Sequence, residues 1–408
     1  MLDAAGALFL AGTRARGPLD LATAKFLRAH HELRGAERGF VVDVAQGMLR
    51  LRRRLELAAA RLPAEPTRGA LACLYLVGAR GVDPALLPID AAGGRGLLAA
   101  WRATDDAPAD VRAGLPAWLL ERLTAQRGAD AALALCDACT ARPPTTLRAN
   151  RLRTDPEALV RALDAEGIAA GRSALAPDGV TLDGRAELFR TRAFQQGMFE
   201  VQDEGSQLVS LLCEAAPGMT VVDGCAGAGG KTLHLAALMN GKGTLHALEP
   251  HDRRRHELSR RAARAGAHNV RADDLERRRR LTGRADVVLV DAPCTGTGVL
   301  RRNPDTSWSL SEELVTRLVG QQREILAGYA PLVRPGGRLV YATCSLLAEE
   351  NEAVVGDFLA RHPAFELRDA GDVLARSGVS LPGRFLDVDP VRHGTDGFFG
   401  AVLEQRQR

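Results

Sequence analysis

The stretch that decides the fold is residues 221–232, which read VVDGCAGAGGKT. A short β-branched run there leads into a glycine-rich turn that opens a helix, so the sequence predicts a buried strand followed by a loop that can approach a ligand. Two later runs, residues 287–294 (VVLVDAPC) and residues 339–344 (LVYATC), are equally apolar and end on Cys294 and Cys344. Because the carboxyl ends of parallel strands meet at one edge of a sheet, where ligands bind, we expect a cofactor loop and two thiols in one site.

The pattern of apolar residues divides the 408-residue chain into three predicted domains. Residues 1–142 have helical spacing and predict an all-helical domain, which ends at the break Arg142-Pro143-Pro144. Residues 145–196 mix strand-like and helical pieces and predict a small α/β module. In residues 197–408, apolar strand runs alternate with amphipathic helices, which predicts an α/β fold with a doubly wound, mostly parallel sheet.

The composition argues against several classes of protein. A hydrophobic fraction of 46% and a charged fraction of 25% are ordinary for globular domains. No apolar stretch reaches the length of a membrane span, and the first residues do not resemble a signal peptide, so we expect a cytoplasmic protein with no membrane partner. The seven cysteines are irregularly spaced and favour free thiols over a disulfide framework. Cys136 and Cys139 form a lone C-x-x-C pair, which favours a coincidence on a helix, and we predict no metal site.

The basic residues favour a nucleic-acid partner. The net charge is +4, and of the 54 lysines and arginines only three are lysine. Arginines cluster at residues 50–54, 253–255 and 277–280, and their fork-shaped guanidinium groups suit phosphate. In so lysine-poor a chain, a lysine at the glycine loop makes Lys231 a candidate site residue. We also expect Arg301 and its two neighbours to face RNA, because they follow the predicted rim of the site.

Two familiar nucleotide-binding patterns fail at the glycine loop. A triphosphate-binding P-loop needs a glycine where the chain has Cys225, and the dinucleotide pattern needs one where the chain has Thr232. Glu249 follows the next predicted strand, where a carboxylate can accept hydrogen bonds from ribose hydroxyls. An open glycine loop with such an acid favours the adenosine cofactor S-adenosylmethionine. A nucleoside-triphosphate hydrolase is the disfavoured rival.

In their order along the chain, these motifs resemble the NOP/Sun family of RNA cytosine-5 methyltransferases, in its bacterial ribosomal-RNA branch. Beyond the strand ends already quoted, the matching segments are residues 199–206 (FEVQDEGS), 301–305 (RRNPD), 349–352 (EENE) and 396–399 (DGFF). The resemblance covers residues 145–408 well. Residues 1–142 are similar, more loosely, to the NusB-like RNA-binding domain of bacterial members.

The resemblance implies a class I S-adenosylmethionine methyltransferase fold and a set of site residues. Cys344 would be the thiolate that adds to carbon 6 of a cytosine, and Cys294 would serve the release of the product. Asp291 would hydrogen-bond the ring-nitrogen side of the base, and Lys231 would touch the base or the cofactor. The implied cofactor contacts are Cys225, Ala226, Gly227, Ala228, Gly229, Gly230, Lys231, Glu249, Asp274 and Asp291.

The sequence departs from the family pattern at two places. The loop has Ala226-Gly227-Ala228 where the family commonly has Ala-Ala-Pro, and Glu249 stands where aspartate is usual. The acid expected at the adenine end of the cofactor is either Asp273 or Asp274, and the spacing favours Asp274. Neither departure touches the thiols.

The resemblance further implies methyl transfer from S-adenosylmethionine to carbon 5 of a cytosine in RNA, through a covalent cysteine–cytosine intermediate. Ribosomal RNA is the first expected substrate and transfer RNA the second. A non-catalytic RNA-binding factor for ribosome assembly is the alternative, and the intact pair of thiols argues against it. We infer no obligate protein partner from the sequence.

Overall fold

The computed structural model describes residues 1–14 and 19–407. These residues divide into two compact units. The first consists of Met1–Arg142 with Val299–Ser311, and the second consists of Pro143–Gly298 with Glu312–Arg408. Within the described ranges, no helix is both long enough and apolar enough to cross a membrane.

The first unit is helical. Its helices are α1 (Leu2–Arg14), α2 (Leu19–Ala29), α3 (Gly35–Arg50), α4 (Arg52–Ala59), α5 (Arg68–Arg80), α6 (Ala91–Arg102), α7 (Ala109–Ala113), α8 (Ala117–Arg127) and α9 (Ala129–Thr140). Local chemistry sets their ends: the Thr67 hydroxyl accepts the amide of Ala70 at the start of α5, and Asp90 accepts the amide of Gly93 at the start of α6. Helix α5 ends at Gly81 in the left-handed conformation.

A small residue sets the contact between α3 and α5 in the core of this unit. A Cβ atom on Gly47 would lie 1.9 Å from the Tyr75 hydroxyl and 2.4 Å from the ring carbon that carries it. The Tyr75 side chain is buried with Met48 and Leu74 in the same cluster. The close approach of the two helices therefore requires a residue without a side chain at position 47.

The segment Val299–Ser311 belongs to this helical unit although it lies far along the chain. The Arg50 Nε donates to the Arg301 carbonyl at 2.7 Å, and the Leu19 amide donates to Asp305 at 3.3 Å. The Arg52 guanidinium lies 4.3 Å from the centre of the Trp308 ring. Arg301 itself is only 5% exposed, so the expectation that it faces RNA is wrong; the sequence motif does not reveal this burial.

The second unit contains two sheets. Its strands are β1 (Thr146–Ala149), β2 (Ala170–Arg172), β3 (Gly179–Leu182), β4 (Phe199–Val201), β5 (Thr220–Asp223), β6 (Thr244–Leu248), β7 (Val270–Asp273), β8 (Ala285–Asp291), β9 (Val333–Thr343), β10 (Phe365–Arg368), β11 (Leu386–Val388) and β12 (Phe398–Gln405). Its helices are α10 (Pro156–Asp164), α11 (Arg192–Gln195), α12 (Glu204–Leu211), α13 (Gly230–Leu238), α14 (Asp252–Ala265), α15 (Glu312–Tyr329), α16 (Glu352–Arg361) and α17 (Ala370–Ala375).

The smaller sheet has the order β2-β3-β1-β4, and each adjacent pair is antiparallel. Its inner face packs on α10 through a buried cluster that includes Leu147, Leu159, Val180 and Phe199. Because β4 pairs with β1, this sheet extends to Val201, past the boundary after residue 196 that the sequence suggests.

The larger sheet has the order β10-β12-β9-β8-β5-β6-β7, with β11 paired to β12. Strands β9, β8, β5, β6 and β7 run parallel, and β12 and β10 add an antiparallel edge. From β5 the chain builds outward through β6 and β7, and then returns to the other side of β5 with β8. This order confirms the predicted α/β fold with a mixed, mostly parallel sheet, and it places a topological switch point between β5 and β8.

We predict that Gly47→Ala lowers the free energy of unfolding by ~1–3 kcal/mol, because the added methyl group would overlap the Tyr75 hydroxyl in a packed core. The matched control is Gly96→Ala on α6, where a Cβ would meet no atom of the described residues within 4 Å. That variant should be neutral or up to ~1 kcal/mol more stable, through the better helix propensity of alanine. Urea unfolding followed by circular dichroism measures both, and equal effects would contradict the packing argument.

Candidate active site

Two loops meet at the switch point of the larger sheet. Strands β5 and β8 are parallel neighbours, with Val222 opposite Val288. Beyond their ends, the Gly224 amide donates to the Leu289 carbonyl at 2.7 Å and so ties the two strand ends together. The glycine loop therefore begins beside the segment that carries Asp291 and Cys294.

The glycine loop needs its glycines for backbone conformation. Gly227 and Gly229 have φ angles of +54° and +91°, a region that residues with a side chain rarely adopt. A Cβ on Gly227 would meet no atom of the described residues within 4 Å, so the turn is open on that side. Helix α13 starts immediately afterwards, and its first amides lie at the loop. The loop is thus an open turn at a helix N-terminus, as the sequence predicts.

Two arginines, of which Arg148 is buried, hold carbonyl groups of this loop. Arg148 on β1 donates to the Gly230 carbonyl at 2.7 Å, and Arg261 on α14 donates to the Ala228 carbonyl at 2.7 Å. Glu200 on β4 accepts a hydrogen bond from Arg261 at 2.8 Å. Burial lowers the pKa of Arg148 to about 10, so this arginine remains a cation at neutral pH. No sequence pattern predicts these contacts, because each arginine lies more than thirty positions from the carbonyl that it holds.

Tyr329 is a further support that the sequence analysis missed. Its hydroxyl donates to the Gly224 carbonyl at 2.6 Å, across 105 positions of the chain. Burial raises the pKa of Tyr329, so the hydroxyl keeps the proton that it donates. Cys225, next along the loop, is half-buried, and burial raises the pKa of its thiol above the ordinary value. A neutral thiol there fits a backbone or packing contact better than a nucleophile.

Asp223 at the end of β5 carries a buried and only partly paired carboxylate. Its Oδ2 accepts the Thr232 hydroxyl at 2.7 Å, whereas its Oδ1 has no hydrogen-bond partner among residues 1–14 and 19–407. The side chain is 1% exposed, and burial raises its pKa to about 6. Such an oxygen at a ligand loop favours a donor or a positive charge on the ligand.

Lys231 and Asp291 form an ion pair at the start of α13. The Lys231 ammonium donates to Asp291 Oδ2 at 2.6 Å, and it lies 5.1 Å from the centre of the Phe398 ring. Burial would lower the pKa of Lys231, but the charge and hydrogen bond of Asp291 outweigh that effect and leave the pKa raised. Lys231 is therefore a permanent cation that can donate, and Asp291 has a second carboxylate oxygen for other donors.

The two predicted thiols are in contact. The Sγ atoms of Cys294 and Cys344 are 3.3 Å apart, and both side chains are half-buried. Strands β8 and β9 bring them together, since the two are parallel neighbours with Val290 opposite Tyr341. The hydrogen bond to Cys344 and burial raise the pKa of Cys294 well above its ordinary value. The free protein thus favours the protonated form of Cys294.

The acidic candidates for the adenosine end lie at the ends of β6 and β7. Glu249 is 3% exposed; its Oε1 accepts the His251 amide at 2.9 Å, and its own amide donates to the Asp273 carbonyl. Asp273 accepts a hydrogen bond from His246 at 2.7 Å. Asp274 accepts the amide of Glu276 and so caps a short 3-10 helix. The three acids are neighbours, and the choice of Asp274 over Asp273 stays a prediction.

These residues fit S-adenosylmethionine. The open turn at Gly227 gives a ligand access to the backbone, and the unpartnered Asp223 oxygen suits a positively charged ligand. The contact of Glu249 with a ribose stays a prediction. A doubly wound sheet with this site at its switch point defines a class I S-adenosylmethionine-dependent methyltransferase.

Comparison with known proteins narrows the class. Residues 210–404 match the family described as 16S rRNA methyltransferase RsmB/F, and residues 115–188 match the ferredoxin-like domain of RsmF/B-like methyltransferases. The chain is 36% identical over 299 residues to the probable ribosomal RNA small subunit methyltransferase B of Bacillus subtilis, an alignment that covers 71% of this chain and 66% of that protein. It is 33% identical over 402 residues to the ribosomal RNA small subunit methyltransferase B of Pseudomonas putida, with 90% of each chain covered.

A solved structure agrees with these matches. The crystal structure of a methyltransferase homolog from Pyrococcus horikoshii is 26% identical, covers 73% of this chain and 97% of its own, and has a TM-score of 0.62. The chain therefore belongs to the RsmB/F methyltransferase family, as the predicted resemblance implies, and its cofactor is S-adenosylmethionine.

We predict that Asp223→Asn stabilises the cofactor-free protein at pH 7.5 by up to about 3 kcal/mol, with a loss of this gain toward pH 4. A raised carboxyl pKa means that the folded protein holds this proton up to about pH 6. The free energy of unfolding of the wild type therefore falls as pH rises from about 4 to 6. The Asp223→Asn variant should not show this fall, because asparagine does not titrate. Chemical unfolding across this pH range tests the prediction, with the exposed Asp252→Asn as control; a pH-independent difference would contradict it.

We also predict that Glu249→Ala weakens S-adenosylmethionine binding by ~1–3 kcal/mol, the scale of a charge-assisted hydrogen bond. Glu249→Gln keeps an acceptor for the His251 amide and should lose less. Isothermal titration calorimetry measures both affinities, and thermal unfolding checks that the variants are folded. Unchanged affinity in both variants would remove Glu249 from the cofactor site.

Proposed function

We propose that this protein transfers a methyl group from S-adenosylmethionine to carbon 5 of a cytosine in ribosomal RNA, through a covalent bond between Cys344 and the base. The observation that carries the proposal is the 3.3 Å contact between two thiols that follow β8 and β9, on the strand edge that also carries the glycine loop. Methyltransfer to an oxygen or an amine needs no thiol. Transfer to carbon 5 of a cytosine does, because that carbon is a poor nucleophile until another group adds to the ring.

The addition step assigns a role to Cys344. Its thiolate forms a bond to carbon 6 of the cytosine, and the electron pair of the C5–C6 double bond makes carbon 5 nucleophilic. Bound S-adenosylmethionine supplies the electrophilic methyl group that carbon 5 takes. The Cys294 sulfur lies 3.3 Å from the Cys344 sulfur, close enough for its thiol to donate toward negative charge on that sulfur.

Release is the step that we assign to Cys294. After methyl transfer, Cys294 as a thiolate takes the proton from carbon 5; the electrons of that C–H bond restore the C5–C6 double bond, and the bond between carbon 6 and Cys344 breaks with its electron pair on the Cys344 sulfur. Cys294 lies 3.3 Å from the sulfur that departs, and both thiols are half-buried. A protein that lacks this thiol would form the covalent bond but would not break it.

Asp291 and Lys231 supply the electrostatics of the base site. Asp291 is 29% exposed at the side chain, and Lys231 Nζ contacts only one of its carboxylate oxygens among the described residues. A carboxylate there can accept hydrogen bonds from the exocyclic amino group and from N3–H of the protonated ring, the form that takes up the negative charge that thiolate addition delivers. Lys231 orients Asp291 and touches the base or the cofactor from the helix side.

The relatives favour ribosomal RNA as the substrate. Both curated relatives are named as ribosomal RNA small subunit methyltransferases, and one of them aligns over 90% of its length. In this proposal, the helical residues 1–142 and the small module from residue 145 bind the RNA, and the larger sheet performs the chemistry. The arginine-rich composition supports such a partner, since guanidinium groups pair with backbone phosphates.

We predict opposite outcomes for the two thiol variants. Cys344→Ala should abolish methylation and give no covalent protein–RNA complex. Cys294→Ala should also stop turnover but accumulate a complex that survives denaturing electrophoresis, because addition proceeds and release does not. Bisulfite sequencing of ribosomal RNA from a deletion strain, complemented with wild type or each variant, identifies the methylated cytosine.

Cys213→Ala is a control, since this cysteine is fully buried in the second unit and follows α12 rather than a strand of the larger sheet. It should restore the modified position. A complex that forms in Cys344→Ala and not in Cys294→Ala would reverse the two roles. Modification that persists without either thiol would exclude the covalent route.

A further inference from the structure

A single buried carboxylate contacts the residues that follow both thiols. Glu350 is fully buried. One of its oxygens, Oε2, accepts the hydroxyl of Thr295 and the hydroxyl of Ser345, each at 2.5 Å. The other, Oε1, accepts the Thr295 amide at 2.9 Å. Thr295 follows Cys294 and Ser345 follows Cys344, so one side chain bonds to both thiol-bearing loops.

Other side chains hold Glu350 in place. Gln322 on α15 donates from Nε2 to Glu350 Oε1 at 2.9 Å and to the Pro293 carbonyl at 2.9 Å. The Tyr341 hydroxyl, from β9, donates to the Glu350 main-chain carbonyl at 2.6 Å. The next residue, Asn351, donates to the Ser345 carbonyl at 2.9 Å. The carboxylate is thus fixed relative to β9 and α15, and every contact lies within one compact unit.

We propose that Glu350 is a positioning residue that sets the distance between the Cys294 and Cys344 sulfur atoms. The thiol loops follow two different strands, and beyond the strand ends their separation depends on contacts between the loops. The Glu350 carboxylate accepts hydrogen bonds from four donors, which come from both thiol-bearing loops and from α15. The importance of Glu350 for catalysis rests on the proposed covalent mechanism. Its effect on the distance between the two sulfur atoms does not depend on that mechanism.

Removing the carboxylate would leave buried donors without an acceptor on both loops. The Thr295 amide and hydroxyl, the Ser345 hydroxyl and the Gln322 amide would each need a new partner. Buried donors that lack a partner are costly, so the loops would move until water or other groups satisfy them. Glutamine is different, because its oxygen can accept on one side while its amide donates to the hydroxyl oxygens on the other.

The charge of Glu350 also acts on one of the thiols. Together with the hydrogen bond to Cys344 and burial, the negative charge of Glu350 contributes to the raised pKa of Cys294. Glu350→Gln should therefore keep the loop geometry and yet lower the pKa of Cys294. A role in folding alone predicts no such separation of the two effects.

Disulfide formation measures the sulfur–sulfur geometry without any methylation assay. Diamide takes two electrons and two protons from a pair of thiols and is reduced to a hydrazine, while the sulfurs join. In the full-length protein, trypsin would place Cys294 in residues 285–301 and Cys344 in residues 339–361, so mass spectrometry can follow this one cross-link. Wild type should cross-link rapidly, and Glu350→Ala should be at least about tenfold slower, because displacement by about 1 Å is costly for a proximity-driven reaction.

Matched variants separate positioning from a general loss of structure. Glu350→Gln should cross-link within about threefold of wild type, since its geometry is kept. Its Cys294 should also react with iodoacetamide at a lower pH than in wild type. Asp389→Ala removes another buried carboxylate, which accepts the amides of Val391 and Arg392, and should leave the cross-linking rate unchanged.

The outcomes decide the proposal in either direction. A folded Glu350→Ala variant that cross-links as fast as wild type would overturn it. So would a Glu350→Gln variant that cross-links as slowly as the alanine variant and whose Cys294 reacts with iodoacetamide at the same pH as in wild type.

If circular dichroism shows that Glu350→Ala is unfolded, Thr295→Val takes its place, because it removes only one hydroxyl bond to Glu350. Its cross-linking should be slower than wild type, and an unchanged rate would reject the positioning role. Failure of the thiol variants to trap RNA would reject the covalent mechanism and leave these cross-linking results intact.

Discussion

The structure of the site depends on the parallel pairing of β8 with β5 on one side and β9 on the other. Val288 lies opposite Val222 in one pairing and opposite Leu339 in the other. Because both registers are fixed by buried β-branched and aliphatic side chains, the three strand ends lie side by side. The glycine loop, the ion pair and the two thiols follow from that alignment, since each begins within a few residues of a strand end.

Of the described charged groups at this edge of the sheet, some have a partner of opposite charge and Asp223 does not. Lys231 is paired with Asp291, but Asp223 is buried with one oxygen unpaired among the described residues, and its pKa is raised to about 6. A folded protein tolerates such a group where a ligand supplies the missing partner. The cofactor-free site is therefore less stable than its packing would allow, and binding a positively charged ligand relieves part of that cost.

The thiols and the cofactor loop are each supported by a different set of polar side chains. Arg148 and Arg261 hold carbonyls of the glycine loop, and Glu350 bonds to the loops that carry Cys294 and Cys344. Each supporting side chain lies in the same compact unit as the loop that it holds. Polar networks of this kind restrict the arrangement of the atoms that they connect. The geometry of this edge of the sheet thus depends on side chains outside the glycine loop and the thiols themselves.

The sequence by itself determined the elements whose signal is local. The apolar runs before Asp223, Cys294 and Cys344 predicted buried strands, and the failed P-loop and dinucleotide patterns at Cys225 and Thr232 pointed to the cofactor. Only the tertiary structure decided that Arg301 is buried in the helical unit, that the two thiols touch, and that Arg148, Tyr329 and Glu350 support the site. The physical reason is range: periodicity and turn chemistry act over a few residues, whereas these contacts join positions brought together only when the sheet and helices pack.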